Sequence, residues 1–84
     1  METKSDKEYR EIIGGNIRAA RREKGMEIGD LADALGVNEN YLELAERGKH
    51  EMHIAKLVEA GRILGKSLDW LAGVSSEVSE EIGA

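Results

Sequence analysis

A chain of 84 residues makes one domain at most; it buries only about 60% of its unfolded surface and so has a thin core. With no Cys and no Pro, neither a disulfide framework nor a thiolate zinc site can supplement that core, and the missing Cys accords with a reducing compartment. A net charge of −5 weighs against a nonspecific polyanion binder, which is normally basic, while the polar start Met1 to Lys7 and the lack of a long apolar run argue against a signal peptide and a membrane span, so the cytoplasm is the expected location.

The charge is spread along the chain. Met1 to Gly14 and Gly15 to Lys49 each sum to −1, and His50 to Ala84 sums to −3.

Helical period dominates. Ser5 and Glu8 form a Ser-x-x-Glu capping pattern, and Tyr9, Ile13, Ile17 and Ala20 lay an apolar stripe along the helix that follows. Gly14-Gly15 interrupts it at about 1 kcal/mol per glycine relative to Ala. A frayed or bent stretch is therefore expected before Gly15, and firm helix from there to Lys24. Gly25 stops this helix, and Arg21, Arg22 and Lys24 suit the negative end of its dipole.

Ile28, Leu31, Ala32 and Leu35 fall at i, i+3, i+4, i+7 and predict a second helix, closed by Gly36. Asn38 caps a third, from Glu39 to Ala45 or Glu46, which Gly48 ends. Ile54, Leu57, Val58, Gly61 and Leu64 repeat the spacing in a fourth, closed by Gly65; Ser67 caps a short fifth, Leu68 to Ala72, ended by Gly73. Val74, Val78 and Ile82 stand at i, i+4, i+8 in the acidic tail, which reads either as a disordered end or as a short partner-binding helix. No segment alternates long enough to make a strand, so the fold class is all-α.

The second and third helices carry the function. They are short and separated by one tight turn at Gly36. Ala32 is small where they cross, Gly36 can adopt positive φ, and Val37 and Leu42 point inward to fix the angle. A steep pair of this kind projects its second helix outward, where it fits a DNA major groove about 12 Å wide.

At these residues the chain resembles the phage-repressor and Cro (XRE-like) family of helix-turn-helix regulators. The landmarks are Ile13-Gly14, Ile17-Arg18, Arg21, Gly25, Leu31-Ala32, Leu35-Gly36-Val37, Leu42, Glu46-Arg47-Gly48-Lys49, Leu57, Leu64-Gly65 and Ser67-Leu68-Asp69-Trp70-Leu71. The resemblance implies a compact five-helix domain of the lambda-repressor type over 13–73. It leaves 1–12 as an N-terminal extension or frayed start of the first helix and 74–84 as an acidic tail. It further implies an ion pair between Arg21 and Glu46, tying the first helix to the end of the third.

The resemblance also implies DNA contacts from Asn38, Glu39, Asn40, Glu43 and Leu44 on the third helix, with Arg47 and Lys49 on phosphates. Asn38 and Asn40 suit base reading, since an Asn amide bonds adenine in a bidentate way; for Asn38 a cap-only role is the other reading. Glu39 and Glu43 depart from the family, because a carboxylate near phosphates is tolerated only opposite donors such as cytosine N4. Leu44 suits a thymine methyl or a partner protein. Ile28 stands where the family has a phosphate-bonding Gln, with Glu27 and Asp30 adding negative charge beside it. Met52 replaces a common Pro and Gly61 a common Ala. Arg18, Arg22 and Lys56 join Arg47 and Lys49 as candidate phosphate cations, each with a solvated surface charge as its alternative.

Other constellations carry less. His50 and His53 lie in a loop without a third ligand, so neither a metal site nor a cofactor is expected. No nucleophile–base arrangement or phosphate-cradling glycine loop is present, so no enzyme is expected. Trp70 reads as half-buried packing, with a partner surface as the alternative. Two functions remain. One is a sequence-specific regulator, a repressor by family habit, that binds double-stranded DNA as a homodimer. The other is an interaction module (antirepressor, antitoxin-like or regulatory partner) that keeps the fold and docks a protein through Tyr41, Leu44 and the acidic residues.

Overall fold

The Ser5–Glu8 capping box forms from both sides. The Glu8 N–H donates to Ser5 Oγ at 3.1 Å, and the Ser5 N–H donates to Glu8 Oε1 at 2.8 Å. From that cap the computed structural model, which describes residues 4–74, runs through α1 (Asp6–Glu23), α2 (Ile28–Leu35), α3 (Glu39–Glu46), α4 (Ile54–Leu64) and α5 (Leu68–Ala72). The described residues contain no strand, and none of their helices is long and apolar enough to cross a membrane. The acidic tail's Val78 and Ile82 lie outside the described residues.

One expectation is corrected. α1 is unbroken from Asp6 to Glu23 and continues through Gly14-Gly15 without the fraying expected before Gly15. The reason is tertiary: Gly14 is buried, and its bare Cα faces the carbonyl oxygens of Ala45 and Glu46 at the end of α3. Close packing of two helices offsets the intrinsic cost of glycine, which acts mainly where packing does not decide.

The core is built from the periodic apolar residues. Ile17, Leu31, Leu35, Leu42 and Leu71 are fully buried, and Ala20, Ala32, Ala45 and Ala60 fill the narrow crossings. α1 packs on α3 and α5, while α4 closes the domain against α2 and α5.

Two polar side chains finish helix ends that periodicity leaves open. Asn16 Nδ2 donates to the carbonyls of Trp70 and Leu71 at 3.2 and 3.0 Å, partnering the last carbonyls of the five-residue α5. Lys56 Nζ donates to the Leu35 carbonyl at 2.8 Å and so caps α2. That cation is engaged in the scaffold rather than standing free for phosphate. Trp70 is half-buried, with Lys66 Nζ 4.5 Å from its ring centroid.

Candidate nucleic-acid interface

The outward thrust of α3 begins in the turn before it. Gly36 takes a left-handed conformation with φ 73°, which glycine adopts without the penalty a Cβ brings. There the Val37 N–H donates to the Ala32 carbonyl at 3.0 Å. Val37 packs on the core, and Asn38 Oδ1 then accepts from the Tyr41 N–H at 2.7 Å, opening α3. Replacing Asn38 by Ala removes this cap and is expected to lower stability by about 1 kcal/mol, read as a lower urea midpoint at unchanged slope.

α3 divides its residues by face. Leu42, Ala45 and Glu46 are buried. Asn38, Glu39, Asn40, Glu43 and Arg47 are exposed, Leu44 is half-buried, and Lys49 is exposed just beyond the helix. Tyr41 is turned to the following loop: its hydroxyl accepts from the His53 N–H at 3.3 Å, and its ring meets His50 edge-on at 4.8 Å.

Arg21 joins α1 to the end of α3. Its Nε donates to Glu46 Oε2 at 2.7 Å and its Nη2 to Glu46 Oε1 at 3.0 Å, while Nη1 donates to the Met26 carbonyl at 2.9 Å. The side chains are only 10% and 3% exposed. Hydrogen bonding to Glu46 holds the Arg21 guanidinium above its ordinary pKa, against the opposing effect of burial. A bidentate pair of this kind is rigid as well as charged, so it sets the angle at which α3 leaves the body of the domain.

Beside the exposed face of α3 lies a cleft of about 530 Å³, bounded by the end of α1, the start of α2 and α3 itself. Arg18, Arg22 and Arg47 line it together with Ile28, Glu27 and Glu43. Arg47 Nη1 lies 3.9 Å from Glu43 Oε2 between two exposed side chains, a contact worth little in stability but one that sets a cation against that acid. The i, i+4 spacing of Arg18 and Arg22 marks them as one face of α1; that Arg47 shares their cleft depends on how α1 and α3 cross. Lys49 is not among the lining residues.

The start of α2 is acidic. Asp30 Oδ2 accepts from the Glu27 N–H at 2.9 Å, so Asp30 occupies that helix end. The Glu39 side chain reaches across from α3 and places Oε2 2.7 Å from where a Cβ on Gly29 would stand. Sequence reasoning missed this seat, since only the missing side chain at position 29 signals it.

Helix-turn-helix is the family that matches, over residues 17–71. An uncharacterised HTH-type transcriptional regulator, y4dJ of Sinorhizobium fredii, is 32% identical over 60 residues, which span 71% of this chain and 78% of that protein. Among solved structures, the clp gene regulator ClgR of C. glutamicum superposes with a TM-score of 0.72 at 33% identity, covering 76% of this chain and 82% of that one. A chain of the SinR protein/SinI protein complex gives 0.66 at 29% identity, covering 83% and 74%.

Proposed function

Since the chain belongs to the helix-turn-helix family of the phage-repressor and Cro type, and is with that family a DNA-binding transcriptional regulator, we propose that it works as a homodimeric repressor. In this reading α3 lies in the major groove, Asn40 and Asn38 bond base edges, and Leu44 touches a thymine methyl. Arg18, Arg22, Arg47 and Lys49 take phosphates. A single small domain grips one half-site weakly, and a dimer sets two copies of α3 one helical turn of DNA apart.

The observation that carries the proposal is the cleft. In a chain of net charge −5, Arg18, Arg22 and Arg47 gather beside the exposed face of α3 and, with Arg21 paired to Glu46, outnumber the acids Glu27 and Glu43 that share the cleft, so a small excess of positive charge stands where a phosphate backbone would run. The 13–73 unit supplies this whole apparatus, with 1–12 and 74–84 as its flanks and the cytoplasm as its place of work. No catalysis enters the reading. A protein partner does: Leu44, beside the acidic Glu43, offers it an apolar contact, and the neighbour solved as the SinR protein/SinI protein complex supports such pairing in this fold.

The test is a gel shift on the DNA upstream of the chain's own gene, repeated across salt concentrations. A dimer in which the four named cations of each chain neutralise phosphates gives a slope of log K against log salt of about −7. Arg47→Ala should weaken binding to every duplex alike and flatten the slope by about 1 per chain. No retarded band with any duplex at low salt would sink the proposal.

A further inference from the structure

Five acids stand at the start of α2 and along α3: Glu27, Asp30, Glu39, Glu43 and Glu46. Asp30 accepts from the Glu27 N–H, Glu43 faces Arg47, and Glu46 is paired with Arg21. Glu27 is the N-cap residue of α2. Glu39 differs. It is exposed at the first residue of α3, and among the described residues no hydrogen bond or ion pair holds its carboxylate. Yet the side chain has a seat, because Oε2 and Cδ lie 2.7 and 3.5 Å from the point a Cβ on Gly29 would occupy. The missing side chain at position 29 leaves a notch between the starts of the two helices, and the carboxylate rests in it with its acceptor oxygens unspent.

We infer that Gly29 positions Glu39 as a reader of cytosine. The inference rests on α3 being the groove-reading element, as proposed above. An ionised carboxylate only accepts hydrogen bonds. In the major groove guanine shows two acceptors, N7 and O6, and thymine shows O4 with a methyl; the adenine N6 donor is flanked by acceptors on both sides, its own N7 and the thymine O4, whereas the cytosine N4 donor has an acceptor only on the side of its paired guanine. Glu39 therefore matches cytosine and opposes guanine and thymine through repulsion between acceptors. Specificity built this way works by rejecting wrong sites as much as by holding the right one. It also gives the negative charge of α3 a use: the carboxylate lowers affinity for duplexes in general and returns it where an amino group faces it.

The notch makes the inference separable from a plain charge effect. Gly29→Ala changes no charge, lies inside a helix, and meets only the flexible end of Glu39, so the fold should tolerate it. It nevertheless evicts the carboxylate from its seat. The experiment is affinity selection from a random duplex library at low salt, run on the wild-type chain, Gly29→Ala and Glu39→Gln, with thermal melts of all three. The wild type should enrich cytosine at one position of each half-site. Both variants should lose about tenfold of that preference at the same position, leave the other positions unchanged, and melt no lower than wild type. If Gly29→Ala fails to fold, Glu39→Asp carries the test of the seat, since it keeps the charge on an exposed side chain one methylene shorter; it should lose the cytosine preference as Glu39→Gln does, and a wild-type profile from it overturns the inference.

A wild-type selection without a cytosine position, or a Gly29→Ala profile identical to wild type, overturns the role of the notch while DNA binding stands. A library from which the wild type enriches nothing overturns the groove-reading proposal itself, and this inference with it.

Discussion

Arg21→Met is expected to cost about 3–5 kcal/mol of folding free energy, because it leaves the Glu46 carboxylate buried and unpaired. The pair is bidentate at 2.7 and 3.0 Å, and the Glu46 side chain is 3% exposed, so the carboxylate loses its main partner in a largely desolvated place. A domain of this size has a total stability on the order of 4–13 kcal/mol, and the loss takes a large share of it. Glu46→Leu should cost a similar amount by stranding the guanidinium. The double variant should recover much of the loss, since both charges are then gone from the interior.

Urea melts of the four proteins make a thermodynamic cycle. Additive single losses, with no recovery in the double variant, would show that the residues act independently. The sign of the pH dependence follows from the guanidinium. Its pKa is raised in the fold, so its contribution is complete below the range in which a free arginine titrates and fades only above it. The Arg21→Met deficit therefore gains no pH dependence at neutral pH from Arg21 itself.

Helix positions were legible because their signals are local. Ser5, Asn38 and Ser67 each accept from a backbone N–H three residues on, and Gly36, Gly65 and Gly73 close helices in the left-handed conformation. The outer face of α3 was legible for the same reason: once Leu42 and Ala45 point inward, Asn40 and Glu43 must point out, whereas Glu39, three residues before Leu42, is exposed because it opens the helix. What a linear reading could not supply is anything that depends on where one helix crosses another. Arg18 and Arg22 share a face by spacing, but their cleft with Arg47 exists only through the packing of α1 on α3. Lys56 reads as a surface cation until α4 brings it to the Leu35 carbonyl. Asn16 carries no signal at all until α5 ends against it, and Gly29 is legible only as the place where the Glu39 carboxylate rests.

Gly14 and Gly15 put the same distinction to an experimental test, because their substitutions should move stability in opposite directions. On helix propensity alone, changing either to Ala gains about 1 kcal/mol, and a linear reading treats them as equals. Gly15 is exposed, and a Cβ there meets nothing within 4 Å, so Gly15→Ala should keep the gain and raise the melting temperature by about 4–8 °C. A Cβ on Gly14 runs into the Ala45 carbonyl and comes within 2.8 Å of the Glu46 carbonyl oxygen. Both are backbone atoms at the end of α3 and cannot rotate aside as a side chain would. Overpacking of this kind costs about 1–3 kcal/mol and occasionally more. Here it also pushes on the residue that Arg21 holds, so the ion-pair geometry shifts with it. We expect Gly14→Ala to melt roughly 10 °C below wild type and to bind DNA more weakly than its residual fold predicts, because α3 is displaced relative to α1. Circular dichroism melts of the two variants decide the matter. If both rise together, α1 does not ride on the carbonyls that end α3, and the angle at which the groove-facing helix leaves the domain has some other origin.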